Sequence, residues 1–157
     1  MEEAQKAIYQ AIRDDSAASI GVRALLGNTT TTPYNVYYAF LPVALEFSPA
    51  SGTKQGFVVV LLISSVADLS AGKADTRLMQ DVYQVSVYAR DLSKVREVHS
   101  RIRWRLEGKR GLTDPTTDDV IHKIALESIG PDRYDDAYEC RWQTAIYRVW
   151  RRDDDLR

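Results

Sequence analysis

QDVYQVSVYARDLSKVREVHSRIRWRLEG, residues Gln80 to Gly108, changes its hydrophobic period partway along. From Asp81 to Arg90 it is rich in Val and Tyr and free of Gly and Pro, the composition of a packed, pleated strand. Val82 and Tyr88 fall on one face, Tyr83, Val85 and Val87 on the other, so both sides of this strand are expected to be at least partly covered. The spacing predicts a central strand with a helix lying against it.

That helix follows at once. Leu92, Val95, Val98, Ile102 and Leu106 recur at intervals of three and four and form one stripe. Asp91 is positioned as its N-cap, and Gly108 is expected to supply a left-handed turn at its end. Burying five such side chains is worth about 7 to 15 kcal/mol gross, an upper bound of which the entropy of ordering the chain takes back much. Trp104 lies on the opposite side of the helix, with Ser93, Glu97, Ser100 and Arg101. Its indole needs a cover, from a neighbouring helix, from the C-terminal tail, or from another subunit.

The chain has 157 residues, the size of one domain, and at this length no metal or disulfide staple is required. A hydrophobic fraction of 45% and a charged fraction of 27% are those of an ordinary globular protein. Its 21 Lys and Arg against 22 Asp and Glu leave a net charge of −1, which argues against a dedicated nucleic-acid binder driven by counterion release. Cys140 is the single cysteine, so no intramolecular disulfide can form, and it reads as a small buried hydrophobe. Met1 is followed by Glu2 and Glu3 with no signal-peptide pattern, so the chain is expected to start in a cytoplasm. The longest apolar run, Phe57 to Ile63, is far short of the roughly 20 residues of a membrane span.

In chain order, Ala4, Ala7, Ile8, Ala11 and Ile12 predict a first helix over Glu3 to Arg13. Asp15 or Ser16 can cap a shorter helix whose Val22, Leu25 and Leu26 face inward and which Gly27 ends. Tyr34 to Leu41 reads as a strand closed by Pro42, SPASGTKQG (Ser48 to Gly56) as a loop, and Phe57 to Val66 as a strand in the middle of the sheet. Ala67 to Arg77 reads as a projecting hairpin tip whose Lys73, Asp75 and Arg77 are candidate contacts. After the long helix come a linker (Lys109 to Thr117), a strand (Asp118 to Ile129), a turn (Gly130 to Asp136) and a long strand (Tyr138 to Trp150). The expected fold class is α+β: a largely antiparallel β-sheet of about five strands, covered by the N-terminal helix and by a long helix inserted before the last two strands. Residues 1–150 form the single domain, and residues 151–157 form a charged tail with nothing to bury.

Catalytic patterns are missing. His99 borders the apolar stripe of its helix and reads as a core or boundary histidine; His122 sits in a strand. There is no glycine-rich phosphate loop, nucleophile elbow or HExxH pattern. Asp132, Asp135 and Asp136, and Asp153 to Asp155, lack the spacing of a calcium loop. Arg101, Arg103, Trp104 and Arg105 could in principle grip phosphate and stack on bases, but they point in different directions round the helix. No enzyme activity, cofactor or metal site is expected.

The order of elements resembles the tail terminator, or tail-completion, family of long-tailed bacteriophages. The resemblance rests on EAQKAIYQAIRDD, a first strand ending in FLP, GFVVVLLISS, the quoted strand and helix, and YECRWQTAIYRVW. It implies a structural virion protein: a homo-hexameric ring on the head-proximal end of the tail tube, which stops polymerisation and meets the head-neck connector. Its implied partners are copies of itself, the tail tube protein and the connector, with genomic DNA passing through a lumen poor in Lys and Arg. Under this reading Lys73, Asp75 and Arg77 meet partners, and Arg101 and Trp104 lie near a subunit boundary. Trp150, Arg151 and Arg152 begin a tail ordered by contact. The rivals are another neck or minor tail protein of similar fold, a small cytoplasmic nucleic-acid-binding module, or an enzyme.

Overall fold

The computed structural model describes residues 3–30, 32–40, 55–67, 78–113 and 120–152. The projecting tip with Lys73, Asp75 and Arg77, most of the loop from Ser48, the end of the 109–117 linker and residues 153–157 lie outside the described residues.

The chain folds as α+β in the order α1 (Glu3–Arg13), α2 (Val22–Leu26), β1 (Val36–Tyr38), β2 (Gly56–Ala67), β3 (Leu78–Ala89), α3 (Leu92–Glu107), β4 (Ile121–Ile129), β5 (Arg133–Asp135) and β6 (Cys140–Arg152). The sheet runs β1-β2-β3-β6-β4, with β5 beside the start of β6. Every pairing is antiparallel except that of β1 with β2. The strand from Asp81 is the central one, as its composition predicts.

The three helices pack on one face of this sheet. Alternation puts Tyr83, Val85 and Val87 of β3 and Ala145, Tyr147 and Val149 of β6 inward, all buried. Against them lies the α3 stripe, Val95, Val98, Ile102 and Leu106, joined by Ile8 and Ile12 of α1 and Leu25 and Leu26 of α2 in one core. The Asp91 carboxylate accepts from the Lys94 amide at 2.8 Å, as an N-cap should. Gly108 does not take the left-handed turn expected of it: its φ is −90°, and Lys109 adopts φ 52° instead. Gly27 does end α2 in the left-handed region, at φ 76°.

Three strands have boundaries that differ from the sequence reading, and a fourth differs in its place in the sheet. The first strand is only Val36–Tyr38, because Tyr34, Asn35 and Ala39 have positive φ and break the extended chain on both sides. Among the described residues β1 therefore pairs with Val58 to Val60 of β2. β2 lies second in the sheet, between β1 and β3, and not at its centre; among the described residues its second half pairs only with β3, and Leu61, Ile63 and Val66 there are 36%, 50% and 55% exposed. The fourth strand starts at Ile121, and register shifts between Ile121 and Lys123 and between Leu126 and Ser128 keep Ile121, Ile124 and Leu126 on the inner side. The last strand begins at Cys140, after Glu139 at φ 51°, and runs to Arg152.

Arg151 is thus not part of a tail with nothing to bury. It faces inward and is buried, its Nε donating to Asp81 Oδ2 at 2.6 Å, while Ser65 also donates to the Asp81 carboxylate. A buried charge is tolerated only when it is paired and hydrogen-bonded, so this pair locks the end of β6 into register with β3 and β2. Arg151→Leu alone strands the Asp81 charge and is expected to cost about 3 to 5 kcal/mol. Asp81→Leu combined with Arg151→Leu is expected to recover most of that loss, and urea unfolding of the two variants checks both numbers.

Candidate functional site

Two clusters of chemically distinctive side chains stand out, one on each side of the sheet. The first is built on the outer side of α3. Asp15, in the turn after α1, is buried, and Arg101 donates to it twice, from Nε to Oδ2 at 2.6 Å and from Nη2 to Oδ1 at 2.9 Å. The Val22 amide donates to the same carboxylate at 3.0 Å, so Asp15 holds the start of α2 as the sequence reading anticipated, although Gly21 is the N-cap position. Arg105 stands 3.8 Å away and donates from Nε to the Ala11 carbonyl at 3.0 Å. A bidentate arginine–carboxylate pair of this kind fixes orientation as well as distance, and here it ties α3 to the α1–α2 turn.

Trp104 sits beside this anchor, 46% exposed. The guanidinium of Arg101 lies 4.3 Å from its ring centroid and that of Arg110 lies 4.6 Å away, with Arg110 Nη1 donating to the Trp104 carbonyl at 2.9 Å. The cover that the indole requires is therefore supplied in part by two cations of the same chain. Arg101 and Trp104 are brought together as predicted, but the Arg101 charge is spent on Asp15.

The second cluster is on the face of the sheet away from the three described helices. Tyr88 and Trp142 stack at 5.7 Å with an interplanar angle of 14°, and Arg133 lies over the Trp142 ring at 5.2 Å. Lys123 lies over Trp150 at 5.0 Å, and Arg148 bridges Glu127 and Gln80. Of the three predicted residues at the end of β6, Trp150 belongs to this face, Arg151 points into the core, and Arg152 is exposed. The sheet separates Trp150 from Trp104.

Burial perturbs two further groups, Cys140 and His99. Burial pushes the Cys140 thiol up to about 11, so it stays protonated near neutrality. Burial likewise holds the His99 imidazole below its ordinary value, against a smaller opposing effect of its hydrogen bond to Gln143. Among the described residues no group of three or more His, Cys, Asp or Glu could hold a metal ion, and no helix is long and apolar enough to cross a membrane.

Sequence reasoning named Asp15 as a cap but missed its arginines, and it missed the Asp81–Arg151 pair. The signal for the second was present: Asp81 shares a face with Tyr83, Val85 and Val87, so its charge needed a partner from a neighbouring strand. Which strand could not be read without the register.

No protein-family model matches the chain, and no curated protein matches it. Its fold is similar to that of solved chains, among them one in a structure described as the virion of a native gene transfer agent (GTA) particle. That match has a TM-score of 0.60 at 16% sequence identity, and it covers 95% of this chain and 94% of the other.

Burial pushes the Asp15 carboxyl up, but the hydrogen bonds from Arg101 and the Val22 amide and the charges of Arg105 and Arg101 outweigh it, leaving the group below its ordinary value. A carboxyl depressed in the folded state contributes stability that is present above its unfolded value, near pH 4, and lost as pH falls through the folded one. Arg101→Ala removes the main opposing partner and leaves the burial, so its acid-unfolding midpoint should move to higher pH. It should also lower stability at pH 7 by roughly 3 kcal/mol, as removal of one partner of a buried pair does. Circular dichroism during acid titration measures the first effect and denaturant titration the second.

Proposed function

We propose that the chain is a structural subunit of a virion of the long-tailed phage kind, and within it the tail terminator. In this role copies of the chain form a ring, six in number, on the head-proximal end of the tail tube. The ring ends tube growth and offers its other face to the head-neck connector, while DNA passes through the lumen. The single observation that carries the reading is the fold similarity to a chain of the gene transfer agent virion, which extends over nearly the whole of both chains. The order of elements from the N-terminal helix to the last strand supports the same conclusion.

The physical requirements of such a part agree with the surfaces described. A head-to-tail contact that closes under rotation makes a ring, and a ring can carry different partners on its two faces. The molecule offers surfaces of different character for those contacts: the Trp104 corner with its arginines, and the aromatic face of the sheet away from the described helices. The work proposed for it needs complementary shape and no bond-making chemistry. The cytoplasm of the producing cell is where the chain assembles, and the virion neck is where it stays.

Particle preparations from cells lacking the chain should contain tubes longer than normal and without heads, and adding the purified protein during assembly should restore normal length. Tubes of unchanged length would refute the terminator role. Trp104→Ala should leave the monomer fold nearly intact, with a cost below about 1 kcal/mol because the indole is half exposed, yet weaken self-association severalfold if this corner is a subunit contact. Thermal unfolding and sedimentation separate the two effects.

A further inference from the structure

Between β4 and β6 the chain makes a detour that its own core does not use. β5 stands beside the start of β6, pairing Arg133 with Trp142, Tyr134 with Arg141 and Asp135 with Cys140. From Arg133 to Glu139 no residue is buried, and Tyr134 is 51% exposed. Burial therefore does not hold this hairpin in shape; specific contacts do. The Asp135 carboxylate accepts from the Ala137 and Tyr138 amides at 2.9 and 3.1 Å, which fixes the turn. Arg133 lies over Trp142, Arg141 lies over Tyr134 at 5.1 Å, and Arg96 donates to Asp132 at 3.1 Å. Ordering residues costs entropy whether or not they are buried, and an exposed arm held this firmly on a scaffold is suited to recognition.

At the tip of the arm Asp136 and Glu139 are exposed, and among the described residues neither has an ion-pair partner. The Trp104 corner has the opposite character. Arg110, exposed and stacked on the half-exposed indole, has no carboxylate partner among the described residues either. Its Nη1 is used on the Trp104 carbonyl, which leaves further N–H groups for an acceptor. Beneath it Asp15 serves both Arg101 and Arg105, so the corner keeps a surplus of positive charge.

In one molecule these two patches are apart. Asp132 is tied to Arg96 in the first half of α3, whereas Trp104 lies eight residues on, about 12 Å along the helix at 1.5 Å per residue, beside the α1–α2 turn. Two different patches of opposite sign describe a heterologous contact, in which each copy gives its arm to one neighbour and its corner to the other.

We propose that the β5–β6 hairpin of one copy of the chain seats on the Trp104 corner of the next, with Asp136 and Glu139 meeting Arg110 and with Tyr134 and the indole covered between them. The inference rests on the ring reading and gives the ring its subunit contact.

The test uses the full-length chain in sedimentation, alone and with purified tail tubes. Arg110→Glu reverses the corner, and Asp136→Lys with Glu139→Lys reverses the tip; all three positions are exposed, and circular dichroism checks that the fold persists. Each variant by itself should associate on the order of tenfold more weakly than the parent, because an attractive contact becomes a like-charged one. An equimolar mixture of the two should recover the parent's association, since every contact between unlike copies again joins opposite charges. Variants that associate as the parent does, or a mixture no stronger than its components, overturn the contact and leave the ring standing. A loss confined to Arg110→Glu gives the corner another occupant, the tube or connector protein among them, and overturns the hairpin as its partner. A parent that stays monomeric both alone and on tubes overturns the ring, and the contact with it.

Discussion

The docking of α3 on the inner face of β3 and β6 is the constraint from which the rest of the structure follows. Val95, Val98, Ile102 and Leu106 can leave water only against a surface that alternation has made apolar, and Tyr83, Val85, Val87, Ala145 and Tyr147 provide it. Once α3 is seated, its remaining faces are fixed in direction. One turns Arg101 and Arg105 to the α1–α2 turn, where Asp15 waits; another turns His99 to Gln143 on β6. The two buried arginine–carboxylate pairs, Arg101–Asp15 and Arg151–Asp81, then act as register pins at the helix layer and at the end of the sheet.

Seating the three described helices on one side leaves the described residues of the other side of the sheet to manage their own surface. They do so with side chains that lie flat on one another: Tyr88 on Trp142, Arg133 over Trp142, Lys123 over Trp150. Aromatic faces dressed with cations in this way are amphipathic, apolar enough to be covered and polar enough to be wet. The same treatment is given to Trp104 by Arg101 and Arg110. Such surfaces can be covered by a partner or left in water.

Much of the architecture was legible because it is written in period. The switch at Asp91 from alternation to a spacing of three and four gave β3, α3 and the N-cap correctly, and Gly27 marked the end of α2. What was lost depends on backbone conformations and pairings that period does not encode. Positive φ at Tyr34, Asn35 and Ala39, none of them glycine, cut β1 to three residues, and the strand order puts β3, not β2, at the centre of the sheet. Arg151 looked like tail because Asp153 to Asp155 follow it closely, yet the pairing of β6 with β3 carries the strand to Arg152. Arg101 and Trp104 share the outer side of α3, as helical spacing indicates, but the partner of Arg101 lies 86 residues away in sequence. No local pattern announces the buried Nδ1 of His99 either, without a hydrogen-bond partner among the described residues, since it arises only where helix and sheet meet.

The central claim is that this subunit ends a filament by its shape. The most direct measurement is electron microscopy of purified tail tubes incubated with the protein, read for what sits at each tube end. The account predicts a sixfold ring of this chain at one end only, and tubes that no longer lengthen when tube protein is added. Tubes that bind nothing at either end, or that keep growing with the protein present in excess, would contradict it.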